Sequence, residues 1–159
     1  MTSIRERLEA KQRRRRIVPI QVSDPSQDHT TWMGVAAALE VERRKDEPDP
    51  KMLENLQTQL DAAETRARDH YVDVELQALP AAEWEAAQAE WVDEDGDMTW
   101  AVALAPLLEV SCVDEELRDA GWWRDQMSRD SWSEGDTHAL RAALLELNVY
   151  AVESRAPKD

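Results

Sequence analysis

Apolar and polar positions alternate most cleanly from Tyr71 to Gln77, where Val72, Val74 and Leu76 are interleaved with Asp73, Glu75 and Gln77. A period of two places three apolar side chains on one face, the pattern of a half-buried strand. Pro80 follows where a helix would open, because its fixed φ suits the first turn and its missing N–H has no partner to lose there. Beyond it Ala81, Trp84, Ala87, Gln88 and Trp91 recur at helical spacing, so two indoles share one face. A second alternation, Val18, Ile20 and Val22 within the segment from Ile17 to Val22, predicts a strand able to pair with the first. Pro19 confines it to an edge, or to a position whose N–H is free.

Between the two strands the period becomes helical. Asp24, Pro25 and Ser26 make a turn; Trp32, Val35, Ala36 and Leu39 then form one apolar face until the segment from Lys45 to Pro50 interrupts it. Leu53, Leu56, Leu60, Ala63 and Ala67 advance by threes and fours, and the Glu, Gln, Asp and Arg around them are what exposed coiled-coil positions carry. The prediction is a strand, an antiparallel helical hairpin, and a strand returning beside the first.

After Trp91 comes an acidic loop, Val92 to Asp97. Met98 to Cys112 is the most apolar stretch, with Trp100, Leu104, Leu107 and Leu108 around Pro106. It is too short to span a bilayer and predicts a buried helix or a contact surface, kinked or restarted at Pro106. Asp114 is placed to cap the next helix, with Leu117, Gly121 or Trp122, and Trp123 inward. Ser133 caps a last helix with Asp136 in its first turn, and Leu140, Leu144, Leu147 and Tyr150 or Ala151 make its apolar stripe.

The expected fold is therefore mainly α: a helical bundle with a short two-stranded β element and a helical hairpin in the N-terminal half. Residues 1–16 are expected to form a basic, flexible arm, with a short helix between Thr2 and Gln12 whose apolar pair is Ile4 and Leu8. Residues 17–79 form the strand, hairpin and strand. Residues 80–152 form a C-terminal helical region packed on it, and 153–159 a polar tail.

Charge sharpens this picture. The chain has a net charge of −15, yet residues 1–16 hold seven cations and two acids, so the remainder carries −20. Such a body repels nucleic acid and anionic membrane, and keeps a protein dispersed while it holds an apolar partner. The run Arg13 to Arg16 lacks the length and aromatic interleaving of a nucleic-acid-binding arm. Seven Trp against two Tyr and no Phe supply large amphipathic anchors, suited to a core or to a partner. One cysteine, Cys112, forms no disulfide within the chain, and no secretory or membrane-spanning run occurs, which points to the cytosol.

Reactive chemistry is poorly represented. His29, His70 and His138 are isolated from one another and lack a second ligand at zinc-like spacing. There is no GxGxxG or Walker loop, and four glycines leave little for a phosphate cradle. Asp93, Asp95 and Gly96 imitate part of a calcium loop, but alignment on Gly96 puts Trp91 and Val102 at the first and last ligand positions, where acids are required. Cys112 sits in an apolar segment without a nearby base. Neither enzyme activity nor a metal or cofactor is expected.

From Ile17 onward the order of elements resembles the tail assembly chaperones of long-tailed, siphovirus-type bacteriophages that infect actinobacteria. The resemblance is carried by Val72 to Leu79, by Trp84 in the following helix, by an acidic loop, by Ala105 to Asp114 with its Pro-Leu-Leu, and by a closing helix through Ala142, Ala143, Leu147, Asn148 and Val149. The chain departs from similar proteins in lacking a His-Pro-Pro run after Trp91 and in being richer in Trp from Gly121 to Ser133. The resemblance implies a non-catalytic chaperone of the host cytoplasm. It would bind the tape measure protein, keep it soluble, help recruit the tail tube protein, and be absent from the mature virion. Such families are commonly made in a short form and a frameshifted longer one, and this chain would match the short form.

Partner contacts are expected at Trp84, Trp91, Trp100, Leu104, Leu107, Leu108, Trp122 and Trp123, with self-association through the heptad segment. The alternatives from other classes are a small nucleic-acid-associated regulator using the arginine arm, and a minor virion structural or connector protein.

Overall fold

The computed structural model describes residues 3–150, and these are mainly α. Their order is α1 (Ile4–Glu9), β1 (Arg15–Gln21), α2 (Ser26–Arg43), α3 (Pro50–Arg68), β2 (Tyr71–Gln77), α4 (Ala81–Trp91), α5 (Trp100–Ser111), a 3₁₀ turn (Glu115–Leu117), α6 (Ala120–Met127) and α7 (Glu134–Asn148). Thr2, Ala151 and the predicted polar tail lie outside the described residues. β1 and β2 form a two-stranded antiparallel sheet. The bonds from the Ala78 N–H to the Arg14 carbonyl and from the Val22 N–H to the His70 carbonyl, both 2.8 Å, set a register that puts Val18 opposite Val74. The chain divides into two compact units, Pro19–Asp73 and the residues before and after it, so the division passes through both strands. From sequence the divisions were expected at 16 and 79.

In the unit Pro19–Asp73, α2 packs against α3. Leu53, Leu56, Leu60, Ala63 and Ala67, the five positions of the heptad steps, lie on the shielded side of α3 together with Gln57 and Glu64, and α2 turns Trp32, Val35, Ala36 and Leu39 inward. One more residue on that side of α2 is Glu42, whose buried carboxylate accepts the Asp49 N–H at 3.0 Å and pairs with Lys45. The Lys45 bond, then the Asp49 N–H, holds its pKa below the ordinary glutamate value, so the turn between the helices is closed by an ionised acid. Asp49 caps α3, with Pro50 at the first helical position. Val22 and Val72, expected inward, are exposed at the end of the sheet in this unit.

In the other unit α5 is the central element, packed against α4, α6 and α7. Its inner side, Leu104, Leu107 and Leu108, joins Leu76 of β2, Trp123 of α6 and Leu140 and Leu144 of α7 in the fully buried core. At about 1.5–3 kcal/mol for each large apolar side chain removed from water, this cluster is the main source of the unit's stability. The helix runs through Pro106 instead of restarting there. Val102, whose carbonyl loses the N–H that proline lacks, lies on the exposed side, where solvent is available. After α5, Cys112 bridges to Leu76, and the Val113 N–H donates to the Glu75 carbonyl at 3.0 Å.

The caps differ from expectation at one point. Asp114 caps the 3₁₀ turn, and α6 has its own cap, Asp119, which accepts the Trp122 N–H at 3.0 Å. Ser133 and Asp136 form a full capping box at the start of α7, whose buried stripe is Leu140, Leu144 and Leu147 with Ala143 added. Tyr150 lies beyond the helix and is exposed. In the acidic loop the Asp93 carboxylate accepts the N–H groups of Asp95 and Asp97, and Gly96 takes the left-handed conformation that closes the turn.

The arginine run is not an open arm in this structure. Arg13 donates to the Ala78 carbonyl. Arg14 donates to the carbonyls of Leu147 at 2.6 Å and Tyr150 at 3.0 Å, at the C-terminal end of α7. Arg15, already in β1, pairs with Glu75, and Arg16 pairs with Glu146. A helix C-terminus presents unpaired carbonyls and partial negative charge, so Arg14 is well matched to that end.

Candidate functional site

A groove of about 550 Å³ lies between α4 and α5. Its apolar lining comes from Leu79, Ala86, Ala87 and Trp91 on one side and Pro106, Leu107 and Val110 on the other. Three carboxylates also line it, Glu83 and Glu90 on α4 and Glu109 on α5. Glu109 is partly engaged, accepting the Ala120 N–H at 2.7 Å. Glu83 and Glu90 are exposed two turns apart along α4. An apolar trough beside a row of acids suits an amphipathic helix with basic flanks.

A second cavity, of about 630 Å³, is bordered by Lys11 to Arg14, by Ala78 to Ala81 and Trp84, and by Leu147 to Val149. Arg13, Arg14 and Asn148 among its polar groups are structural. The Asn148 amide accepts the Leu79 N–H and donates to the Leu144 carbonyl, both at 2.8 Å, tying the β2–α4 junction to the end of α7. Nothing in the local sequence around Asn148 announces that bond.

The eight residues expected to meet a partner are scattered. Trp91 is half-buried at the α4–α5 groove, and Leu107 underlies it. Trp84 is buried beside the second cavity. Trp100 and Leu104 border a separate depression between α5, α6 and α7. Trp122 is 39% exposed and stands edge-on to Trp123, which is 1% exposed. Leu104, Leu107, Leu108 and Trp123 are a correction: they are core, exposing 2% or less of their surface to a partner. An amphipathic pattern cannot distinguish the side that meets a neighbouring helix from one left open. Glu83, Glu90 and Val110 were missed, because acids on a helix usually signify only a wet face.

A hydrogen-bonded chain of Ser23, His70 and Asp28 also went unseen in the sequence. The Ser23 hydroxyl meets His70 Nδ1 at 2.6 Å, and Asp28 meets Nε2 at 2.7 Å, with Arg66 also near Asp28 at 3.6 Å. Ser23 is exposed, whereas acyl transfer needs a water-excluding site with oxyanion donors at the nucleophile. The arrangement acts as a clamp: it joins the turn after β1 and the first turn of α2 to the start of β2. Among the described residues no three His, Cys, Asp or Glu gather as metal ligands would, and no helix is long and apolar enough to cross a membrane.

Burial lifts the Cys112 thiol from its ordinary value of 9.0 to about 11, against smaller lowering influences from Trp123 and Arg118. The folded protein is expected to resist iodoacetamide at pH 8 and to react fully in denaturant. Because the folded state holds this proton more tightly than the unfolded state does, its stabilising contribution is complete below pH 9 and is lost as pH rises toward about 11. Urea midpoints measured across that range should therefore fall more steeply for wild type than for Cys112→Ala.

Comparison with protein-family models, with curated proteins and with solved structures finds no match to this chain.

Proposed function

We propose that this chain is a non-catalytic bacteriophage tail assembly chaperone that holds the tape measure protein soluble in the host cytoplasm, helps recruit tail tube subunits, and leaves before the virion is complete. The observation that carries the reading is the α4–α5 groove, apolar along its length and lined by Glu83, Glu90 and Glu109, on a strongly acidic body. A long amphipathic client helix with basic flanks matches that groove in shape and sign, and the body's self-repulsion keeps the loaded complex dispersed. The resemblance of residues 72–79, 105–114 and 142–149 to the tail chaperones supplies the identity of the client. In this reading the helices form a bundle, and α2 and α3 form an antiparallel hairpin available for lining up copies along the client. An arginine-arm regulator is the weaker alternative, because Arg13 to Arg16 are already bonded to carbonyls and carboxylates of the protein itself.

Co-expression tests the proposal. A tape measure protein co-expressed with this chain should be soluble only when wild type is present. Glu83→Lys together with Glu90→Lys should weaken the complex about tenfold or more, close to 1.4 kcal/mol. A tape measure protein that is soluble alone, or insoluble with wild type, would overturn the reading. Detection of the chain in purified virions by mass spectrometry would replace it with a connector role.

A further inference from the structure

We propose that the cavity of about 630 Å³ bordered by Lys11 to Arg14, the start of α4 and the end of α7 binds a small amphipathic anion, a carboxylate or phosphate group carried on an apolar body. The first observation is charge that the protein leaves uncompensated. Lys11, Arg13 and Arg14 all border the cavity, against one acid, Glu85. Arg13 donates to the Ala78 carbonyl, and Arg14 to those of Leu147 and Tyr150. A neutral acceptor fixes a guanidinium in place without cancelling its charge. The next two arginines differ, since Arg15 pairs with Glu75 and Arg16 with Glu146. Among the described residues, Lys11, Arg13 and Arg14 enter no ion pair. A chain with a net charge of −15 thus gathers three uncompensated cations around one cavity.

The second observation is that the donors are held ready. Arg13 uses one terminal nitrogen in its bond and Arg14 uses two, and a guanidinium has N–H groups to spare beyond these for the oxygens of an anion. Because the carbonyl bonds already order both side chains, binding costs less rotamer freedom than it would for loose arginines.

The third observation is the apolar part of the wall. Leu79, Pro80, Trp84 and Leu147 border the same space, whose volume falls in the range of small-molecule sites, roughly 300–1,000 Å³. A bare inorganic ion would leave that apolar wall wet, whereas an attached hydrocarbon or aromatic body would cover it. A polynucleotide is the poorer match, because the acidic remainder of the chain repels it. The cavity is also where the segment after α1, the β2–α4 junction and the end of α7 meet, so a bound anion should raise the thermal midpoint.

Amide NMR spectra of the full chain, titrated separately with phenyl phosphate, octanoate, inorganic phosphate and phenol, test this. Phenyl phosphate and octanoate should give saturable shifts concentrated at residues 11–14, 78–88 and 147–149, and should bind about tenfold more tightly than inorganic phosphate. Phenol should leave those residues unmoved, and the tighter of the two anions identifies the head group as phosphate or carboxylate. Raised salt should weaken binding by screening the cations. Lys11→Gln with Arg13→Gln should weaken it about tenfold, and Lys11→Gln alone by less. Glu85→Gln removes the one acid and should tighten it, a gain that a damaged fold would not produce. Shifts that fall elsewhere or fail to saturate, affinities indifferent to these substitutions, or phenol binding as well as phenyl phosphate would each overturn the proposal. A single-stranded oligonucleotide that binds more tightly than phenyl phosphate would overturn it in favour of a nucleic-acid site.

Discussion

Trp123→Ala lowers the free energy of unfolding by about 3–5 kcal/mol, the range for deleting a large aromatic side chain from a core. Three features put Trp123 at the top of that scale for this chain. It is almost wholly removed from water, its indole N–H donates to the Leu117 carbonyl at 2.7 Å, and Trp132 stands edge-on to it with ring centres 6.2 Å apart. Truncation therefore opens a cavity beside α5, removes an aromatic pair and leaves a carbonyl without its donor. Urea unfolding followed by far-UV circular dichroism measures the loss. Trp122→Ala, next in the chain, is expected to cost about 1 kcal/mol or less, because that ring already faces solvent. Equal losses at the two positions would mean that Trp123 does not belong to the core. Trp123→Phe should fall between them, retaining most of the ring but not the N–H.

The second large effect is expected at Asn148, where alanine substitution costs about 1–3 kcal/mol, the penalty for leaving buried polar groups unpaired. Leu79 is buried, and its N–H loses its acceptor when the amide oxygen is removed. Asn148→Asp is a sharper probe than alanine. It retains an acceptor for the Leu79 N–H but loses the donor to the Leu144 carbonyl and puts a negative charge at a helix C-terminus, where the dipole disfavours it. It should therefore also destabilise. Arg14→Ala removes the guanidinium that caps the same helix end, so the double substitution with Asn148→Ala should cost less than the two singles together. Thermal and urea unfolding of the four proteins complete the cycle, and strict additivity would show that the two side chains do not hold a common end.

Both residues illustrate where reading the sequence stops. The capping box of Ser133 with Asp136, the heptad stripe of α3 and the alternation of Val74 and Leu76 are legible because each depends on residues within two turns or two pleats of one another. Backbone geometry sets those spacings, so residue type and order suffice. Asn148 and Leu79 meet across the fold, as do Arg16 and Glu146, and as do His70, Ser23 and Asp28. No local period encodes such meetings. Adjacent indoles make the same point: the sequence set Trp123 inward with either Gly121 or Trp122 beside it, and only the packing of α6 on α5 left Trp122 39% exposed while burying Trp123.

The candidate site divides in the same way. The order of residues determined that α4 would carry small and aromatic side chains on one face, that α5 would be the most apolar helix, that the body would be acidic, and that the first sixteen residues would be basic. These follow from composition and from spacing along a single element. Whether α4 and α5 would leave a trough between them, which of their apolar residues would line it, and that Glu83 and Glu90 would stand beside it were decided only in three dimensions. A groove exists by virtue of the separation of two helices, and that separation is set by every side chain wedged between them, so it belongs to the packed core and not to any one segment of the chain.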